Sequence, residues 1–347
     1  MLRKFFSKDA SDFTDLVSLV YRAALHREPD AGGLAMYAAQ LASGQLDAAG
    51  LLQALIESDE YAALARHRAS EALTTGAAAP LNLPAPVSAL SARLAACESI
   101  IWADYLAAWR QVFDNPSHPL IIGQREYGVT HQRRFFETLN ALAILGAGSS
   151  GARLLEFGAS DFSVLYRRFF KDATLAIADR PVPDDYIGFT ADVAQGKLGA
   201  ADFFTIDLQA PAQFDALAAS MPRFSHILFC EVLEHLVVNP VEVIRFLMSL
   251  LREEGVLYLT TPNFFRRENV EKMMRRVNPQ EVYPAGDGNW DAHFHHREFD
   301  MRELLSFATE AGGELRACYF SACWDTPNEA SHQDETSGNL VLVLARK

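Results

Sequence analysis

The chain has 347 residues, 50% of them hydrophobic and 22% charged; that is enough apolar material for a sizeable core, excludes a wholly disordered chain, and at ~150 residues per domain suggests about two domains. Thirty-one Lys and Arg stand against 44 Asp and Glu, a formal charge of −13, which repels phosphate backbones and makes nucleic acid an unfavoured partner. No apolar run approaches the ~18–20 residues that a membrane span needs.

The basic start, MLRKFFSKDASDF, lacks the ~7–15-residue apolar stretch of a secretory signal, so the expected compartment is the cytoplasm. Cys97, Cys230, Cys318 and Cys323 form no C-x-x-C pair. They read as buried thiols rather than a disulfide framework or a structural zinc site.

Residues 1–70 read as a small all-α domain. Phe13, Leu16, Val17 and Val20 recur on one helical face. Pro29 and Asp30 break that pattern, and Asp30 suits the N-cap of a second helix from Ala31. Gly44 and Asp47 mark a further break, and Ser58 suits a cap before Tyr61. Residues 71–90, EALTTGAAAPLNLPAPVSAL, read as a Pro/Ala-rich linker. From 91 to 145 helical periodicity returns.

Beyond 145 apolar runs alternate with helical ones. Candidate strands are Arg153–Phe157, Thr174–Ala178, Asp202–Ile206, His226–Cys230 and Val256–Thr261, with a clear helix over Val238–Arg252. This alternation predicts a parallel, doubly wound α/β sheet. A helix near Met301–Ala311 precedes two further runs, Glu314–Ser321 and Leu340–Ala345, expected to pair antiparallel.

The first strand runs into RLLEFGASDFSVLY. A short apolar strand, an acid (Glu156), a glycine (Gly158) and a helix form a nucleotide-binding element, because ligands of such sheets sit beyond the carboxyl ends of the strands. The second strand ends in Asp179, about 20 residues after Gly158, a spacing that suits an acid on ribose hydroxyls. A strand-end Asp on the surface is the bland alternative. The third strand leads to Asp207 and Leu208, where an acid could meet the adenine amino group and Leu208 the ring. A turn residue explains Asp207 equally well.

Two resemblances sharpen this reading. The stretch LVSLVYRAALHREPDAGGLAMYAAQL, with S-D-E-Y at Ser58–Tyr61, resembles the DUF4214 family, a helical domain related to phycobilisome linker repeats. His26 and Tyr37 depart from its usual Gly and Trp. The resemblance implies an interaction or localisation module rather than chemistry, with a protein as the expected partner. Arg27, Glu28 and Asp30 read as a capped, salt-bridged turn.

The segment FSHILFCEVLEHLVVNPVEVIRFLMSLLREEGVLYLTTPN and the later HFHHREFDMRELLSFATEAGGEL resemble class I S-adenosylmethionine-dependent methyltransferases of the E-V-L-E-H-L branch. This likeness covers roughly residues 130–347. It implies a Rossmann-like, seven-stranded sheet with the last strand antiparallel, and S-adenosylmethionine as cofactor. It implies that Glu156, Gly158 and the backbone of Ala159 and Ser160 hold the methionine and ribose side. Asp179 would take the ribose, Asp207 and Leu208 the adenine, and Glu231 the methionine end. One departure stands out: Ser160 and Phe162 occupy two glycine positions of the usual D/E-x-G-x-G-x-G motif. On the family's loop path Ser160 would need a disfavoured conformation costing ~1–2 kcal/mol, and Phe162 would crowd the cofactor. A reshaped loop that still binds and a loop that has lost its cofactor are both consistent with this.

Glu231, Glu234 and His235 would share one face of a helix. Some members of the branch bind Mg²⁺ through such an E-x-x-E-H and a later His. Here the later ligand would be His296, with His295 and His293 as adjacent alternatives. The metal-free alternative has Glu231 serving the cofactor. His235 and His296 are then the candidate general bases. In the insertion 264–295, Arg266, Arg267, Arg275 and Arg276 could hold a phosphate or carboxylate and Trp290 could stack on a sugar; a solvated basic helix is the alternative. The expected function is O-methylation of a sugar or other small-molecule or glycan hydroxyl. The competing expectation is a non-catalytic methyltransferase-like scaffold.

Overall fold

The computed structural model describes residues 10–64, 81, 83–114, 125–181, 190–280, 294–323 and 334–347. The chain divides into two compact units, Met1–Pro80 and Leu81–Lys347. Most of the predicted linker lies outside the described residues.

The first unit holds helices α1 (Ala10–Leu25), α2 (Ala31–Ser43) and α3 (Ala48–Ile56). Asp30 and Asp47 cap α2 and α3 by accepting the Gly33 and Gly50 N–H groups at 2.8 and 2.7 Å, satisfying donors that a helix start leaves open. Gly44 stops α2 in the left-handed region at φ 74°, where a side chain would be strained. Val17, Tyr21, Leu41, Leu51 and Leu55 form its core.

The second unit opens with α4 (Ala85–Ala96), α5 (Trp102–Phe113), α6 (Arg125–Thr130) and α7 (Gln132–Ile144). Residues 85–90, read from sequence as the end of the linker, are the first half of α4. Pro84 and Pro86, which suggested a linker, sit where a helix start tolerates proline.

The sheet follows: β1 (Arg153–Phe157), α8 (Ser163–Phe169), β2 (Thr174–Asp179), β3 (Asp202–Thr205), α9 (Phe214–Ser220), β4 (Phe224–Cys230), α10 (Pro240–Ser249), β5 (Leu251–Pro262), α11 (Arg267–Met274), α12 (Met301–Glu310), β6 (Gly313–Ser321) and β7 (Asn339–Arg346). All seven predicted strands are present. Their order is β3-β2-β1-β4-β5-β7-β6. Strands β1 to β5 pair in parallel, and β7 runs antiparallel between β5 and β6. This is the Rossmann-like sheet with an antiparallel last strand that the sequence predicts.

Helices cover both faces, so the central strands are continuously apolar rather than alternating. Ile227, Phe229, Leu257 and Leu259 pack with Ile244 and Leu247 of α10 and Leu304 of α12. Leu154, Ile177 and Leu228 belong to a second cluster with Tyr105, Trp109, Phe135 and Phe162. The winding reverses between β1 and β4, and that reversal opens a crevice at the carboxyl edge of the sheet.

Candidate active site

Strand register brings the predicted residues to this edge. Phe157 pairs with Ala178, which sets Gly158 beside Asp179. Asp179 pairs with Thr205, two residues before Asp207. Phe157 also pairs with Phe229, two residues before Glu231.

Gly158 adopts φ +68°, and a Cβ there would stand 2.9 Å from Val232 Cγ2. Glycine is therefore required both by the backbone and by the approach of the β4 loop. Ser160 is not in the left-handed region, so the strain expected of it is absent. The loop has reshaped: the Ser163 N–H donates to the Ser160 carbonyl (2.9 Å), and the Phe162 N–H reaches Ser160 Oγ (3.3 Å). Phe162 points into the core, 1% exposed, stacked at 4° on Phe135 and beside Phe113. It fills space between helices rather than crowding the edge.

Glu156 is buried, and its two oxygens accept from Ser163 Oγ at 2.5 Å and Tyr166 Oη at 3.0 Å. Burial pushes its carboxyl up to about 7 against those hydroxyls. Ala159 and Ser160 are buried as well. Burial also raises Asp179 to about 6. Its Oδ1 takes the Arg180 N–H at 2.8 Å, and among the described residues nothing donates to Oδ2, an arrangement suited to a ligand hydroxyl. Asp207 accepts the Gln209 N–H at 2.9 Å in a turn, and Leu208 packs in the core.

The E-x-x-E-H string is not one helical face. Glu231 lies in the left-handed region at φ 55°, and only Leu233–His235 form a single 3-10 turn. Glu231 therefore parts from Glu234 and His235, which stay together. Glu231 Oε1 accepts from Thr260 Oγ1 at 2.6 Å and Asn339 Nδ2 at 3.0 Å, with Arg134 Nη1 at 3.8 Å. Glu234, fully buried, accepts from Thr261 Oγ1 at 2.9 Å through Oε2, while Oε1 takes no hydrogen bond among the described residues. Burial, then the Glu231 charge, lifts its carboxyl to about 8.

A later segment completes the cluster. The His296 N–H donates to the Glu234 carbonyl at 2.8 Å. His235 Nδ1 meets the Phe294 carbonyl at 2.9 Å; a carbonyl only accepts, so Nδ1 carries the proton and Nε2 is the bare nitrogen of the neutral ring. His235 Nε2 lies 3.9 Å from Glu234 Oε1, and the His235 and His295 rings meet edge-on at 4.9 Å. Glu234, His235 and His295 each bring a ligand atom within 4.8 Å of the others. Two imidazole nitrogens and a carboxylate suit Mn²⁺, Co²⁺ or Zn²⁺ better than an oxygen-preferring Mg²⁺. Glu231 and His296 are not in this group. The His296 ring packs edge-on against Phe294 at 5.2 Å.

Arg266 grips Glu298, and Arg267, Arg275 and Arg276 are exposed. Trp290 and His293 lie outside the described residues. Arg134, Thr260, Asn339 and Glu298 escape the sequence reading. Only Glu298 carried a signal, as part of the H-x-R-E string.

In the first unit the turn residues are structural. Arg27 clasps Glu60 with both forks at 2.5 and 2.6 Å, and Asp30 caps α2. Residues 3–65 match the family described as "Domain of unknown function (DUF4214)". The DUF4214 match thus ends on the segment that carries Glu60, and Glu60 ties that segment back to the turn before α2. No curated protein matches the chain.

Among solved structures, the chain is similar to a TehB-like SAM-dependent methyltransferase from Corynebacterium glutamicum: 14% identity, 71% of this chain, 97% of that one, TM-score 0.38. It is similar to magnesium protoporphyrin IX methyltransferase from Synechocystis, solved with bound SAM: 14% identity, 77% and 99% covered, TM-score 0.39. A third is an S-adenosylmethionine-dependent methyltransferase from Clostridium acetobutylicum: 6% identity, 71% and 98% covered, TM-score 0.41. Among the described residues no helix is long and apolar enough to cross a membrane.

Proposed function

We propose that the second unit is an S-adenosylmethionine-dependent methyltransferase acting on a hydroxyl of a sugar or other small molecule. The observation that carries this reading is the carboxyl edge of the sheet. It gathers the Gly158 turn, Asp179 and the Glu234–His235–His295 cluster at the point where the winding reverses. The cofactor would supply a methyl group on a positively charged sulfur. The Gly158–Ser160 turn and Glu156 would shape the methionine side, Asp179 would take the ribose diol, Asp207 and Leu208 the adenine, and Glu231 the methionine end. An imidazole of the cluster would take the acceptor proton, a contribution of ~10²–10⁴-fold. The sugar acceptor rests on analogy with the branch. We assign the DUF4214 region to binding a protein partner and the chain to the cytoplasm.

The test is calorimetric titration with S-adenosylmethionine and S-adenosylhomocysteine. Micromolar binding is expected, lost in a folded Asp179→Ala variant. No binding up to millimolar concentration by a folded protein would favour the scaffold reading, and unchanged binding by Asp179→Ala would remove the ribose assignment.

A second reading, metal-assisted transfer, is favoured by Glu234 Oε1, which faces two imidazoles and takes no hydrogen bond among the described residues. A divalent ion there would orient the acceptor hydroxyl and lower its pKa. Cobalt titration reads this directly: a visible d–d band lost in Glu234→Gln supports it, and a colourless protein at millimolar Co²⁺ excludes it.

A further inference from the structure

Glu231 directly follows the last residue of β4 and adopts φ 55°. A residue with a Cβ holds this left-handed conformation only where its surroundings over-determine it. Two neighbouring strands do so here. Thr260 of β5 takes the Glu231 N–H on its carbonyl at 2.9 Å and donates its own hydroxyl to Glu231 Oε1 at 2.6 Å. Asn339, the first residue of β7, donates Nδ2 to the same oxygen at 3.0 Å. Thr260 and Asn339 are each 1% exposed, so water does not stand in for either donor.

The Asn339 amide has one orientation open to it. Its Oδ1 accepts the Leu340 N–H at 3.2 Å. Turning the amide over would set its oxygen against the Glu231 carboxylate and its NH2 against an N–H. Asn339 is also held in the sheet, paired with Pro262 of β5 and Ser321 of β6. The Arg134 guanidinium approaches Oε1 as well, with Nη1 at 3.8 Å. Among the described residues all these contacts fall on Oε1, and Oε2 accepts no hydrogen bond. One oxygen is clamped, so the other is presented in a fixed direction. Strand register puts it where the winding reverses, beside the Gly158 turn. A largely buried carboxylate oxygen with open lone pairs suits a cationic N–H donor.

We propose that Asn339 and Thr260 are positioning residues that hold Glu231 by Oε1, so that Oε2 receives the α-ammonium of the cofactor's methionine end. The proposal rests on the methyltransferase reading above, which puts that end at Glu231. The methionine end carries an ammonium and a carboxylate. Only the ammonium donates, and a second carboxylate would be repelled. The strained turn and its two donors are in place before any ligand arrives, so binding does not have to order the Glu231 side chain.

The experiment is calorimetric titration of the full-length protein with S-adenosylhomocysteine and with its desamino analogue, which keeps the adenosine, thioether and carboxylate but lacks the α-ammonium. The wild type should bind S-adenosylhomocysteine at least about tenfold more tightly, as expected for a hydrogen bond to a charged group. Asn339→Leu and Thr260→Val each remove one donor to Oε1. Each should weaken S-adenosylhomocysteine by up to about tenfold and leave the desamino analogue unchanged. Thr260→Ser keeps the hydroxyl and should bind both ligands as the wild type does. Equal loss of both ligands would mean that the variants only loosen the edge, and it overturns the positioning role. Unchanged affinity for both overturns it too. A wild type that binds the two ligands equally overturns the ammonium assignment without recourse to any variant. An Asn339→Leu protein that fails to fold therefore does not rescue the proposal, and Thr260→Val keeps the β-branched shape that suits its strand. A folded wild type that binds neither ligand overturns the methyltransferase reading itself.

Discussion

The two units use their carboxylates in opposite ways. In the helical unit Asp30 and Asp47 cap helices, and Glu60 pairs with Arg27, all at the surface. The Gly33 N–H holds Asp30, and Arg27 holds Glu60, below the ordinary carboxylate range. These acids help the unit to fold. In the α/β unit burial drives Glu156, Asp179 and Glu234 up to about 7, 6 and 8, at one edge of one sheet. At neutral pH an acid placed where ionisation is disfavoured opposes folding, and these three lie at the carboxyl edge described above. The comparison separates acids that support folding at neutral pH from acids that oppose it, and the second set lies at the proposed site.

The sharpest way to test that contrast is pH. A carboxyl raised in the folded state binds its proton more tightly than in the unfolded chain, where it titrates near ~4. Its favourable contribution is complete below that value and is lost as pH rises through the folded pKa. For Asp179, Glu156 and Glu234 the window runs from about 4 to about 6, 7 and 8 respectively. Each acid changes stability by up to ~1.4 kcal/mol per pH unit within its window. The lowered acids of the helical unit have the opposite sign: their contribution is present above ~4 and is lost only as pH falls through the folded values. Scanning calorimetry at pH 5.5 and 8 should therefore show the α/β transition move down by several degrees while the helical transition stays put. Equal movement of both would break the comparison.

The next effect is local to the reshaped loop. Phe162 stands where the family pattern has glycine, yet it is 1% exposed and stacked on Phe135. Phe162→Ala should destabilise the α/β unit by about 3–5 kcal/mol, the cost of removing a buried aromatic side chain and leaving its cavity. Denaturant titration followed by near-ultraviolet circular dichroism measures this. If Phe162 instead obstructs the edge, the variant will keep its stability and bind S-adenosylhomocysteine more tightly.

Phe162 also shows how far sequence reasoning reaches. The seven strands were legible because buried parallel strands are short apolar runs bounded by polar breaks, as in Leu154–Phe157 and Ile227–Phe229. Gly158, Asp179, Asp207 and Glu231 were legible as strand-end residues, since strand order alone carries them to one edge. The course of the chain between strands was not. A motif pattern assigns Phe162 to the cofactor side, and only the packing of α5 and α7 reveals a hydrophobic slot for it. Periodicity places Glu231, Glu234 and His235 on one helix face, but one positive φ at Glu231 sets it apart from the other two. The Glu298 carboxylate is held by Arg266 and Asn269, 32 and 29 residues away, a distance no local pattern spans. The structure also moves the third member of the cluster from His296 to His295, because the His296 N–H is bonded to the Glu234 carbonyl while the His295 ring faces inward.

The smallest effect belongs to the helical unit and bounds the comparison from the other side. Asp30→Ala removes the oxygen that accepts the Gly33 N–H at 2.8 Å, leaving a donor at the start of α2 to water. The side chain is fully exposed, so water replaces the lost partner and the helical transition should fall only slightly. The Arg27–Glu60 clasp still joins the turn before α2 to the segment around Tyr61. If the acids of this unit serve its fold alone, affinity for S-adenosylhomocysteine in the other unit will not change. A variant that keeps its melting temperature but loses cofactor affinity would give Asp30 a role that its cap geometry does not explain, and the division of labour between the two units would fall with it.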